Sequence, residues 1–180
     1  MSEQSFAELS QVFGAIPDTT VEMLLKEITK AKRICLYGVG REGLMIKAFA
    51  MRLFHLGLDV HMVGDMTTPP VAKGDLLIVS SGPGKLSTVA ALLEVAKAAK
   101  ARSLVITAQP KSRDAKKADV VIYLPAQTMA SDTGSKTSFL PMGTLFEMTQ
   151  MLLFEFVVML LRERLNQSPI EMRSRHTNLE

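Results

Sequence analysis

Five short, nearly unbroken apolar runs constrain what this chain can fold into. They are Arg33-Ile34-Cys35-Leu36-Tyr37, Leu58 to Val63, Asp75-Leu76-Leu77-Ile78-Val79, Ser103 to Thr107, and Val120 to Leu124. A strand with one wet face alternates apolar and polar residues, whereas a strand covered on both faces reads as a continuous apolar run. Helical patterns separate the runs: Arg41 to Leu56 closed by Gly57, the stretch from the Ser87-Thr88 turn to about Lys100, and a short segment from Ser112 to Lys117. Only Gly64-Asp65-Met66-Thr67-Thr68-Pro69-Pro70 breaks the alternation, because paired prolines hold the backbone extended. Strands alternating with helices imply a parallel sheet. The sequence therefore predicts an α/β fold, a three-layer α-β-α sandwich around a five-stranded parallel sheet in flavodoxin-like order 2-1-3-4-5. Ligands should meet the carboxyl ends of the first and third strands, at the switch point.

The 180 residues are expected to form one domain, with N-terminal helices over 1–31, the parallel core over 32–125 and C-terminal helices over 140–180. Phe6, Leu9, Val12 and Phe13 make an amphipathic stripe between Ser5 and Ile16, and Pro17 ends it. Thr19 and Glu22 have capping-box spacing ahead of Val21, Leu24, Leu25 and Ile28. Pro125 to Phe139 reads as a long polar loop. Gly143 to Leu165 reads as a long helix, apolar nearly all round; Glu147, Gln150 and Glu155 interrupt it short of the ~18 to 20 apolar residues of a membrane span. Such a helix is expected to lie between the sheet and a partner subunit. Ser168-Pro169-Ile170-Glu171 carries a cap, an N1 proline and a capping-box glutamate.

The chemistry concentrates where the third strand turns into a helix. Ser80-Ser81-Gly82-Pro83-Gly84-Lys85-Leu86-Ser87-Thr88 has the hydroxyls and small residues of a phosphate cradle, completed by backbone N–H groups. Ser80, Ser81, Gly82, Gly84, Ser87 and Thr88 are its candidate binding residues. The glycine turn after the first strand adds Gly40 and Arg41. Gly38-Val39-Gly40-Arg41-Glu42-Gly43 also matches G-x-G-x-x-G, with Asp59 and Asp65 near the position of a ribose-binding acid, so a nucleotide-binding module is an alternative. Glu147, one turn into the long helix, is a candidate general base or a carboxylate satisfied by the helix terminus. Glu155 is expected to pair with an arginine. His55, His61 and His176 are structural candidates first; His176 acquires a role if the tail folds over a neighbouring site.

Several functions are excluded by what is missing. No Cys/His/Asp grouping has metal-ligand spacing, so no metal is expected. Cys35 is the only cysteine and cannot form an internal disulfide. The net charge of +3 is spread along the chain, and two Tyr and no Trp leave little for base stacking, so no nucleic-acid partner is expected. Met1-Ser2-Glu3-Gln4 lacks a secretory n-region, and a cytoplasmic protein is the simplest reading.

These residues together resemble the sugar isomerase (SIS) domain family, and within it the 6-phospho-3-hexuloisomerases. The resemblance rests on Gly38-Val39-Gly40-Arg41, Ala48 to Gly57 with Arg52 and His55 inside it, Val63-Gly64, Thr68-Pro69-Pro70, Lys73-Gly74-Asp75-Leu76, Pro141-Met142-Gly143-Thr144-Leu145-Phe146-Glu147, and the ending Arg175-His176-Thr177-Asn178-Leu179-Glu180. It implies a homotetramer with shared active sites that converts 3-hexulose 6-phosphate to fructose 6-phosphate without a cofactor. It also implies that Glu147 is the base and that His176 approaches a neighbour's site. In an enediol mechanism His55 or His176 is the candidate for moving the hydroxyl proton, and Arg52 is a further candidate for binding substrate. The chain departs from the family pattern at the cradle. Glu42 stands where the family usually has Ser. Ser81-Gly82-Pro83-Gly84-Lys85-Leu86 replaces Ser-Gly-Ser-Gly-Glu-Thr, removing two hydroxyls and a backbone donor. A non-catalytic sugar-phosphate sensor of the same fold is the second alternative.

Overall fold

The structure is a computed structural model, described over residues 1–132 and 138–179. Its strands are β1 (Ile34–Tyr37), β2 (Val60–Met62), β3 (Leu76–Ser80), β4 (Arg102–Thr107) and β5 (Val120–Tyr123). They form one parallel sheet in the order β2-β1-β3-β4-β5, as the apolar runs predict. The helices are α1 (Ser2–Ala15), α2 (Thr19–Lys30), α3 (Gly40–His55), α4 (Ser87–Ala98), α5 (Thr144–Arg164) and α6 (Pro169–Ser174).

Alternate residues of each strand feed two cores, because successive side chains point to opposite faces. Ile34, Leu36, Leu76, Ile78, Leu104 and Ile106 face α1, α2, α3 and α5. Cys35, Leu77, Val79 and Val105 face α4 through Val89, Leu93 and Ala96. The first layer is much the thicker. Its centre is Phe49 of α3 stacked on Phe154 of α5, with ring centroids 4.1 Å apart.

α5 is long and apolar enough to cross a membrane by length and composition, despite the three polar interruptions counted against it. Its burial gives the better account: Phe146, Leu153, Phe154, Val157 and Leu161 are sealed into the core against α3, α2 and α1. Its other side leaves Leu152, Phe156, Met159 and Leu160 exposed in the single chain. α1 packs on the same helix through Phe13, whose ring meets Phe156 edge-on at 5.4 Å.

Some local expectations need correction. Thr19 and Glu22 form no capping box: the N-cap is Asp18, without a side-chain cap, and both carboxylate oxygens of Glu22 accept from Arg164 instead. The segment from Ser112 to Lys117 shrinks to a 3-10 turn at Ala115–Lys117. The polar stretch from Pro125 has no helix or strand to Asp132; residues 133–137, which the long-loop expectation includes, lie outside the described residues. Two termini form as read. Gly57, at φ +84°, closes α3 with Gly57 N–H donating to Phe54 and Leu58 N–H to Leu53, a Schellman ending. The Ser168–Glu171 capping box is complete, and it starts α6.

Candidate active site

The site is assembled where the carboxyl ends of β1 and β3 meet the N-termini of α3 and α5. After β1 the chain turns through Gly38 and Val39 into α3. A Cβ on Gly43 would lie 2.5 Å from the Gly38 carbonyl oxygen, so α3 rests directly on the turn. Helix packing alone thus accounts for the outer glycines of G-x-G-x-x-G. Asp59 precedes β2, at the amino edge of the sheet, where it binds Arg33 and His61. It is therefore at the wrong edge to meet a ribose beside the glycine turn, and His61 is a structural partner as expected.

Glu42, in the first turn of α3, reaches across to the loop after β3. Its Oε2 accepts from the Gly82 N–H at 2.9 Å and from the Ser80 hydroxyl at 2.5 Å. A Cβ on Gly82 would fall 2.6 Å from Glu42 Oε1, so the carboxylate sits this close only because the position is glycine. Burial pushes the Glu42 carboxyl above its ordinary value and the charge of Glu147 adds to that, while the bonds from Ser80 and Gly82 pull the other way. Behind Ser80, its hydroxyl also lies 2.9 Å from Gln150 Oε1, and Gln150 is fully buried with no partner for Nε2 among the described residues.

The Ser81 hydroxyl turns inward. It donates to the fully buried Asp114 at 2.7 Å, and the Leu86 N–H donates to the same oxygen at 2.8 Å. Gly84, at φ +73°, lies against Ser112, where a Cβ would come within 2.5 Å. The loop is thereby held by the β4–β5 connection. Ser87 and Thr88 stand exposed in the first turn of α4.

Glu147 is buried in the first turn of α5, after the left-handed Gly143. Its Oε2 accepts from Arg41 Nε at 2.6 Å. The rest of the Arg41 side chain is 63% exposed, so the pair has one buried and one wet member. A cavity of about 280 Å³ opens beside them, lined also by Phe6, Leu9, Met45 and Leu152.

The sheet edge thus brings together Gly40, Arg41, Ser80, Ser81, Gly82, Gly84, Ser87, Thr88 and Glu147. Arg52, His55 and His176 are elsewhere, at the far end of α3. At roughly 1.5 Å per residue, the 15 steps from Gly40 to His55 span about 22 Å. There Arg52 pairs with Glu155 at 3.4 Å, the arginine partner expected for Glu155. The rings of His55 and His176 lie 5.2 Å apart. Arg175 donates to the His55 carbonyl and to Gln167, and its guanidinium sits over Gly57. A cavity of about 260 Å³ adjoins this cluster, lined by Arg52, His55, Arg162, Arg173 and His176.

Sequence reasoning missed Gln150 and Asp114. Gln150 had a signal, a polar residue three positions after Glu147 in an apolar helix and so on the same face. Asp114, among Lys111-Ser112-Arg113, had none.

A five-stranded α/β sandwich with an anion-suited loop after β3 and a buried carboxylate at the facing helix is the architecture of a phosphosugar-type domain. The chain belongs to the SIS domain family, which it matches over residues 27–152. It is 37% identical over 178 residues to the 3-hexulose-6-phosphate isomerase of Bacillus subtilis (strain 168), covering 96% of this chain and 94% of that one. It is 38% identical over 173 residues to the 3-hexulose-6-phosphate isomerase of Mycobacterium gastri, covering 96% of this chain and 86% of that one. Among solved structures, a Methanococcus jannaschii protein, for which a molecular function of 3-hexulose-6-phosphate isomerase was inferred, superposes with a TM-score of 0.86 at 33% identity, covering 99% of this chain and 98% of the other.

Proposed function

We propose that this chain isomerises 3-hexulose 6-phosphate to fructose 6-phosphate through an enediol. The observation that carries this reading is the buried Glu147 carboxylate, fixed by Arg41 beside the β3 loop, in a chain so similar to enzymes of that name. Glu147 removes the proton from C2, and the electron pair forms the C2–C3 double bond as the C3 carbonyl becomes a hydroxyl. Reprotonation at C3 and loss of the O2 proton give the C2 ketone, so no oxidant or cofactor is consumed. Arg41 holds the carboxylate in place, and the loop from Ser80 to Thr88 with Gly40 anchors the phosphate, so that binding energy away from the reacting carbons orients them.

His55 or His176 moves the hydroxyl proton, with Arg52 nearby for the anionic substrate. Because these groups lie at the far end of α3 from Glu147, another subunit supplies them, within a cytoplasmic homotetramer with shared sites. Glu42 in the loop favours a second reading, a sugar-phosphate sensor without turnover.

Incubation with 3-hexulose 6-phosphate should form fructose 6-phosphate; binding without conversion would establish the sensor instead. For the sharing of sites, a variant lacking residues from Arg173 onward should be inactive, as should Glu147→Gln. Mixed and allowed to exchange subunits, the two should recover part of the activity. No recovery after verified exchange would put the groups in one chain's site or the tail in none.

A further inference from the structure

The β3 loop is already occupied. Gly82 N–H and the Ser80 hydroxyl are donors that this loop aims towards α3, and both end on one oxygen of Glu42, an anion supplied by the chain itself. Gly82 lacks a Cβ at the point where that carboxylate closes in. Gln150, wholly buried behind Ser80, has an amide nitrogen without a partner among the described residues. A hydroxyl has one proton, so Ser80 cannot donate to Glu42 and Gln150 at once. With its amide turned over, Gln150 donates Nε2–H to the Ser80 oxygen while Ser80 donates its own proton to Glu42, so that proton is held by the carboxylate.

We infer that Glu42 is the specificity-determining residue of this loop: its carboxylate holds two donors, Ser80 and Gly82, that would otherwise be open to a substrate phosphate, and a phosphate reaches them only together with a proton that neutralises Glu42. This rests on the phosphosugar reading above. An ionised Glu42 and a dianionic phosphate would compete for the same N–H and O–H groups and repel each other. A protonated Glu42 releases both donors and gains an O–H of its own, which a phosphate oxygen can accept. The charged groups around it favour that exchange. Glu147 faces Glu42 from α5 and opposes its ionisation. Arg41, on α3 itself, is committed to Glu147. Asp114, behind the loop, is committed to Ser81 and Leu86. Lys85 is exposed on the loop. Burial of Glu42 acts in the same direction as Glu147.

The test is calorimetric titration of the full-length protein with fructose 6-phosphate at pH 8, in two buffers of different ionisation enthalpy. The native protein should take up close to one proton per phosphosugar bound, and its affinity should fall about tenfold per pH unit above the Glu42 pKa. Glu42→Gln and Glu42→Ser should take up almost none and should bind at least about tenfold tighter at pH 8. Two variants guard against a fold defect in either, and both are compared by thermal unfolding. Binding by the native protein without proton uptake, or uptake unchanged in both variants, overturns the role of Glu42 and leaves the phosphosugar reading intact. A failure of every protein to prefer fructose 6-phosphate over fructose overturns both. Turnover of 3-hexulose 6-phosphate, measured alongside, reports on the isomerase reading alone.

Discussion

Replacing Glu147 with Gln tests the chemistry with little disturbance of the fold. The amide has nearly the same size and keeps an oxygen that can accept from Arg41 Nε, now at 2.6 Å from the carboxylate. It cannot take a proton from carbon. A positioned general base contributes about 10²–10⁴-fold, so turnover should drop at least about 100-fold, which corresponds to about 2.7 kcal/mol of barrier. The KM should change little, because the phosphate anchor lies on another element. Stability should also change little. The Arg41 side chain is 63% exposed, and solvent screening limits such a pair to about 1 kcal/mol or less. Initial rates of fructose 6-phosphate formation, with thermal unfolding alongside, give the two readouts. A rate within about threefold of native, in a protein of native stability, would remove Glu147 as the base. A large loss of stability with the loss of rate would make its role structural.

Two further outcomes follow from the loop. Ser81→Ala removes a donor to a buried carboxylate that keeps the Leu86 N–H, so it should destabilise by roughly 1.5–3 kcal/mol in chemical denaturation; an unchanged midpoint would show that Asp114 does not depend on Ser81. Glu42, held above its ordinary value of 4.5 when folded, keeps a proton that the unfolded chain gives up. Its contribution is full below about pH 4.5 and is lost as pH rises through the folded value. The stability of the native protein relative to Glu42→Gln should therefore decline with rising pH in that window, and a constant difference would contradict the burial argument.

The sheet was legible in the sequence because its code is local. Unbroken apolar runs mark strands covered on both faces, and Gly57 and Ser168-Pro169-Ile170-Glu171 mark ends whose bonds close within a few residues. What was not legible depended on partners distant in the chain. Thr19 and Glu22 have the same spacing as Ser168 and Glu171, yet Glu22 bonds to Arg164, 142 residues away, and no box forms. Glu42 could be read as a charge facing the cradle, but not as a carboxylate inserted into it, because Ser80 and Gly82 lie about 40 residues on. Ser81 looked like a free hydroxyl until Asp114 met it from the β4–β5 connection. Likewise, no residue pattern shows that His55 and Glu147 belong to opposite ends of one helix pair.

That separation, together with the exposed side of α5, bears on assembly. Leu152, Phe156, Met159 and Leu160 are 38 to 59% exposed and fall at i, i+4, i+7 and i+8, a single helical stripe. The stripe starts at Leu152, which lines the cavity of Glu147, and ends two residues before Arg162, which lines the cavity of His55 and His176. It therefore joins the two half-sites of one chain. A two-fold interface places the same surface on both partners, and an axis perpendicular to α5 also reverses its direction. Two copies paired across this stripe about such an axis would run their α5 helices antiparallel, bringing the Arg162 end of one towards the Glu147 end of the other. Covering the stripe would remove the exposed part of these apolar side chains, 38 to 59% of each, from water, a gain of roughly half the ~1.5–3 kcal/mol of full burial for each. The hydrophobic surface that favours pairing would then also carry the histidine cluster to a neighbour's carboxylate, giving the proposed division of the site and the proposed oligomer one physical cause.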